Sequence, residues 1–162
     1  MNVISNAGPL ITLSKIGKLC LLKELYGTIV IPEAVQREVV VHGQGAIGAE
    51  EVALASWITV QTVINRLAVE LLRERLDAGE SEAIVLTLES KADLLLMDEA
   101  KGRQLSKKHE IQLIGTLGLL VIAKKQGLIS QVKPLLDQLV NTGFHMSVEL
   151  YQTVLSQVDE NF

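Results

Sequence analysis

The sequence predicts an α/β fold: a three-layer α/β/α sandwich around a central, mainly parallel sheet. It reads as one domain over residues 1–162, with a helical C-terminal extension from about residue 130. Three observations predict this. Short β-like runs alternate with helical patterns along most of the chain, the way βα units read in sequence. Hydrophobic residues make up 48% of the chain with only 3% aromatics, so the filling is Leu, Ile, Val and Ala, as in a parallel sheet covered by helices. No Pro/Gly/Ser-rich linker and no internal repeat divides the 162 residues, a length suited to one domain.

The elements follow in order. A first strand is expected over residues 2–5, and Gly8-Pro9 opens a helix through Ile16. A second helical piece over 18–25 leads to a strand over 28–31. Pro32 suits the first position of the next helix, where a missing N–H costs nothing, and Glu33 adds negative charge to that turn. Residues 42–48 hold three glycines in seven positions and read as a loop. A short helix through Ala55 and a strand over 58–63 come next. Asn65 caps another helix, with Leu67, Leu71 and Leu72 on one face. Gly79 separates it from a helix running to Ser90. Residues 94–97 form a fully buried central strand, and a basic helix covers 100–108. The last strand is expected over 111–114. Gly115-Thr116 then opens an apolar helix ending near Gly127, and helices broken at 141–143 fill residues 130–156.

Charge and composition exclude several functions. The formal net charge is −4, from 15 Lys+Arg against 19 Asp+Glu, so global positive charge does not carry nucleic-acid binding. Five aromatic rings are too few for a base-stacking platform. The single cysteine, Cys20, cannot form an internal disulfide, which fits a cytoplasmic protein; set among Leu19, Leu21 and Leu22, it reads as a core thiol. No signal peptide is read at the start. The longest clean apolar run, 117–123, is far short of the ~20 residues of a spanning helix, so no membrane is expected. His42, His109 and His145 are scattered, without zinc-ligand spacing.

The informative polar residues occupy costly places. In open parallel sheets ligands bind at the carboxyl ends of strands. Asn6 follows the first strand, and Asp98 and Glu99 follow the strand at 94–97. Glu80 and Glu82 open a helix, where the dipole favours ionised carboxylates. Glu38 falls within the apolar stripe of Ala34, Val35 and Val39 by i, i+3 and i, i+4 spacing. It is either a buried carboxylate in need of a partner or an edge residue that reaches water.

Residues 3–11 (VISNAGPLI), 31–39 (IPEAVQREV), 78–84 (AGESEAI) and 94–99 (LLLMDE), in that order, resemble a PIN domain. The closest likeness is to a prokaryotic subgroup related to VapC-type toxins, which residues 115–118 (GTLG) also fit. The resemblance extends to about residue 140. It implies the same α/β/α sandwich and a metal-dependent ribonuclease site of three or four acidic residues. Carried over by position, that site falls on Asn6, Glu38, Glu82 and Asp98, with Glu99 and Glu80 beside it. The resemblance makes Glu38, Glu82 and Asp98 catalytic, and Asn6, Glu38, Glu82, Asp98 and Glu99 the metal ligands. Two positions depart from the pattern: Asn6 replaces the usual Asp, and Gly8 stands where Ser or Thr is common. Glu82 is a longer acid where many relatives have Asp.

All-oxygen ligands select Mg²⁺ or Mn²⁺, which activate water and neutralise phosphate charge in phosphodiester hydrolysis. RNA capture is then expected from Lys101, Arg103 and Lys107 on the basic helix, unless these are simply its solvated face. The leading expectation is a divalent-metal-dependent endoribonuclease, the toxin of a toxin–antitoxin pair with an antitoxin protein as partner. The alternative, favoured by Asn6 and Gly8, is a catalytically impaired nucleic-acid-binding or regulatory module. A third is a small-ligand-binding α/β protein. A homodimer is expected from the aliphatic surplus of Leu117, Leu119, Leu120, Val121, Leu135, Leu136, Leu139 and Val140.

Overall fold

Strands Val3–Ser5 (β1), Ile29–Pro32 (β2), Ile58–Gln61 (β3), Leu94–Leu96 (β4) and Leu113–Ile114 (β5) pair in parallel, in the order β3-β2-β1-β4-β5. The structure, a computed structural model, describes residues 1–161. Because side chains alternate along a strand, each strand feeds two cores. Val3, Ile29, Ile31, Leu94 and Leu96 point into one, and Ile4, Leu95 and Met97 into the other. Two buried faces explain why β4 reads as an unbroken run of leucines.

Helices close both faces. Ala7–Lys15 (α1), Cys20–Tyr26 (α2), Thr116–Lys125 (α8), Lys133–Asn141 (α9) and Val148–Gln157 (α10) bring Leu10, Leu22, Leu120, Leu136 and Leu155 to the first core. Arg66–Leu72 (α5), Ala78–Glu89 (α6) and Ala100–Lys108 (α7) bring Val69, Ile84, Leu86 and the half-buried Leu105 to the second. The sandwich predicted from sequence is therefore the fold. Glu33–Gln36 (α3) runs into a π-helical turn over Arg37–Val41, and Ala49–Leu54 (α4) follows the glycine loop.

Several local expectations change. The centre of the sheet is β1, with β4 beside it. Pro32 ends β2 and takes the N-cap position, one residue earlier than expected. On α5 the buried residue is Val69, while Leu67 and Leu71 are exposed. Cys20 is exposed, because Leu21 and Leu22 take the inward positions of α2. Most of the aliphatic surplus of α8 and α9 is buried within one chain: Leu119, Leu120, Val121, Leu135, Leu136 and Leu139 lie in a core that also holds Val154 and Leu155 of α10, while Leu117 is half-buried and Val140 exposed. Among the described residues, no helix is long and apolar enough to cross a membrane.

Candidate active site

The strand order reverses direction between β1 and β4, since β2 lies on one side of β1 and β4 on the other. A crevice opens at the carboxyl ends of two such strands. Asn6 and Asp98 occupy it, and the Asn6 N–H donates to Leu96 O at 2.9 Å.

Asn6 is the N-cap of α1, yet its side chain makes no capping bond. Asn is among the strongest capping residues, so turning away from the helix end forgoes about 1 kcal/mol. Its Oδ1 is buried and has no hydrogen-bond partner among the described residues. That oxygen faces Gly79: a Cβ built there would stand 3.4 Å from Asn6 Oδ1 and 3.6 Å from Asp77 Oδ1. Gly79 lies inside the first turn of α6 rather than between helices, and both oxygens stand at ordinary contact distance from its open side.

Asp77 starts α6 through a capping box. Its Oδ1 accepts the Glu80 N–H at 2.8 Å, and Glu80 Oε1 accepts the Asp77 N–H at 3.2 Å. The D-x-x-E spacing carries this signal in the sequence, but reading Gly79 as a breaker hides it. Asp77 is the site residue that sequence reasoning missed.

Acids crowd around it. Burial raises the Glu80 carboxyl to about 7, with Asp77 and then Glu99 adding to the rise. Glu38 is exposed on the π turn, so it is the edge residue and not a buried one. Partial desolvation still raises its carboxyl, Asp77 pushes the same way, and His42 opposes them. The π turn, closed by the His42 N–H donating to Arg37 O at 2.8 Å, is a local widening often found at functional sites.

Asp98 is held from another direction. The Thr116 N–H donates to its Oδ1 at 2.7 Å and the Thr116 hydroxyl to its Oδ2 at 2.8 Å. The carboxylate therefore caps the amino end of α8, where negative charge is favoured, while Glu99 takes the N-cap position of α7. Gly8 lies close by: a Cβ there would be 3.5 Å from Asp98 Oδ2.

Glu82 is fully committed. Its side chain is 3% exposed and sits 3.2 Å from Arg66 Nη1 and 3.8 Å from Arg37 Nη2. Its Oε1 accepts the Ala34 N–H at 3.1 Å, at the start of α3.

The expected cations divide. Arg103 and Lys107 line one groove of about 590 Å³ beside β5, together with Gly115, Leu150 and Val154. A smaller hollow lined by Asp98, Arg103 and His145 adjoins it through shared residues. Lys101 is set apart, its Nζ donating to Arg75 O at 3.4 Å.

The donor chemistry fits a hard divalent cation. Every candidate donor is an oxygen, and the orphaned Asn6 Oδ1 is an atom such an ion would satisfy. Among the described residues no three His, Cys, Asp or Glu side chains already stand as a cage.

The crowding sets a pH dependence. In the unfolded chain the Glu80 carboxyl returns to about 4.5. A raised native value favours folding while the group is protonated, and that contribution is lost as pH rises from about 4.5 through about 7. Melting temperature in chelator is expected to fall over this window, and Glu80→Gln to flatten the fall. A wild-type slope in that variant would place the titration elsewhere.

A protein-family model described as PIN domain matches residues 2–160. No curated protein matches the chain. The five-stranded parallel sheet and its two helical layers are the nuclease-type fold of that family. With a match over nearly the whole sequence, the chain belongs to the PIN-domain family.

Proposed function

We propose that this chain is a divalent-cation-dependent endoribonuclease of PIN type, using Mg²⁺ or Mn²⁺. The observation that carries the reading is the buried, unpartnered Oδ1 of Asn6, at the switch point of the sheet and sharing the space above Gly79 with Asp77 Oδ1. When bound, the ion would lower the pKa of a coordinated water and neutralise charge on the phosphate. Asn6, Glu38, Asp98 and Glu99 are the proposed oxygen ligands. Thr116 fixes the orientation of Asp98, and the exposed π turn lets Glu38 reach toward the edge. Glu82 belongs to the same proposed catalytic set. Its oxygens are taken by Ala34 and Arg66, so it has no open ligand position and its part is to position its neighbours. Arg103 and Lys107 give the RNA strand a cationic wall beside Asp98.

The test is cleavage of single-stranded RNA with Mn²⁺ by wild type and by Asp98→Asn. Asn retains an Oδ1 to accept the Thr116 N–H, so wild-type melting is expected, with cleavage reduced by about 100-fold or more. Equal cleavage by the variant would remove Asp98 from the site. A second reading, a binding module without catalysis, is favoured by the neutral Asn6 and by the hydroxyl missing at Gly8. RNA bound but left intact by wild type would support it. A toxin role with an antitoxin partner, a homodimer and a cytoplasmic location extend the proposal. Exposed Ile64, Leu67 and Leu71 are apolar surface open to a partner, and light scattering would report the dimer.

A further inference from the structure

Among the ion pairs of the described residues, one joins two cations to a single carboxylate. Lys124 pairs with Glu160 and Lys133 with Asp137, one cation to each carboxylate. Arg37 and Arg66 instead share the carboxylate of Glu82. They come from different elements, the π turn and the first residue of α5. The shared carboxylate is 3% exposed, whereas the arginine side chains are 50% and 56% exposed. One buried negative charge therefore holds two guanidiniums at the surface and leaves a net positive charge.

We propose that Arg37 and Arg66 form a phosphate-binding clamp for a nucleic-acid strand, with Glu82 as the positioning residue. The nature of the strand rests on the nuclease reading above. Guanidinium forks match phosphate oxygens in paired hydrogen bonds. Side chains already tethered lose less freedom on binding than free surface lysines do. Arg37 directly precedes Glu38, so a phosphate on the clamp lies beside the acidic edge, where cations are needed to offset repulsion. The arginines approach from the side of α3 and α5, whereas Arg103 and Lys107 flank Asp98 on the side of α7 and β5. The two groups bracket the carboxylates along a strand path.

The experiment is binding of a fluorescent single-stranded RNA oligonucleotide to the full chain, in chelator, over a salt series. Each phosphate contact contributes about 0.7 to the slope of log K against log salt for single strands. Arg37→Gln and Arg66→Gln are each expected to lower the slope by about that amount and to weaken low-salt binding several-fold. Arg37→Lys and Arg66→Lys should keep the slope and lose part of the affinity. Removing both cations would leave a buried carboxylate uncompensated, so the double variant is made with Glu82→Gln, whose amide oxygen still accepts from Ala34. Its slope should fall by about 1.4. Wild-type slopes in the glutamine variants, or no binding by wild type, would overturn the clamp; lowered melting with unchanged slopes would make the trio a structural latch only. Mn²⁺-dependent cleavage measured in parallel separates the two ideas. Cleavage by wild type with arginine-independent binding sinks the clamp alone, and arginine-dependent binding without cleavage sinks the nuclease alone.

Discussion

Asn6→Asp is expected to tighten Mn²⁺ binding and, in chelator, to lower the melting temperature. The position is 5% exposed, and its Oδ1 and Asp77 Oδ1 both lie near the open space above Gly79. A carboxylate there adds a buried charge beside Asp77 and the already crowded Glu80. Without a cation, burial and like charge both oppose its ionisation, and the native state loses stability. With a cation, the same charge replaces a neutral amide dipole. At an effective dielectric of ~20, one charge pair at ~4 Å amounts to about 4 kcal/mol before desolvation cancels part of it. Calorimetric Mn²⁺ titration of both forms, with melting curves in chelator and in metal, measures the two signs separately. If neither affinity nor the metal dependence of melting changes, Asn6 does not face the cation, and the binding-module reading moves ahead.

Gly115→Ala should damage the site through Asp98. The glycine has ordinary backbone angles (φ −93), so any cost is steric. A Cβ at this position would stand 2.7 Å from Asp98 Oδ1 and 2.9 Å from Arg103 Nη2. Arg103 is exposed and its long side chain can swing aside. Asp98 cannot, because both of its oxygens are tied to Thr116. Displacing it breaks those bonds or strains the start of α8, at a cost of about 1–3 kcal/mol. Cleavage is expected to fall by about 100-fold, the scale of an ångström-sized misplacement of a reacting group. Gly8→Ser is the control. Its Cβ is at an ordinary 3.5 Å from Asp98 Oδ2, and its hydroxyl restores the group common in the family, so stability should stay within about 0.5 kcal/mol of wild type. Wild-type melting and cleavage in Gly115→Ala would show that the tight packing around Asp98 is dispensable.

The two substitutions probe the residues whose placement was most legible in the chain. Asn6 and Asp98 each follow a short, fully buried strand, and strand ends in a parallel sheet share an edge. Neighbouring acids were harder to read. Asp77 announces itself by the spacing to Glu80, but Gly79 between them reads as a break. Gly79 is placed by long-range packing, its open side in contact with Asn6 Oδ1 and Val35.

By itself, the sequence determined the layered α/β architecture, the strand and helix sequence, and the edge on which Asn6 and Asp98 lie. Those follow from hydrophobic periodicity and turn chemistry, which act over a few residues. Tertiary structure alone decided which strand is central, which leucines of α5 stay in water, and which cation meets which acid. Glu82 takes its partners from Ala34 and Arg66, 48 and 16 residues away, and Asp98 from Thr116, 18 residues away. A pattern along the chain marks a carboxylate as present. Its neutralisation depends on distance and burial in three dimensions, because charge interactions scale with separation and local dielectric and not with position in sequence.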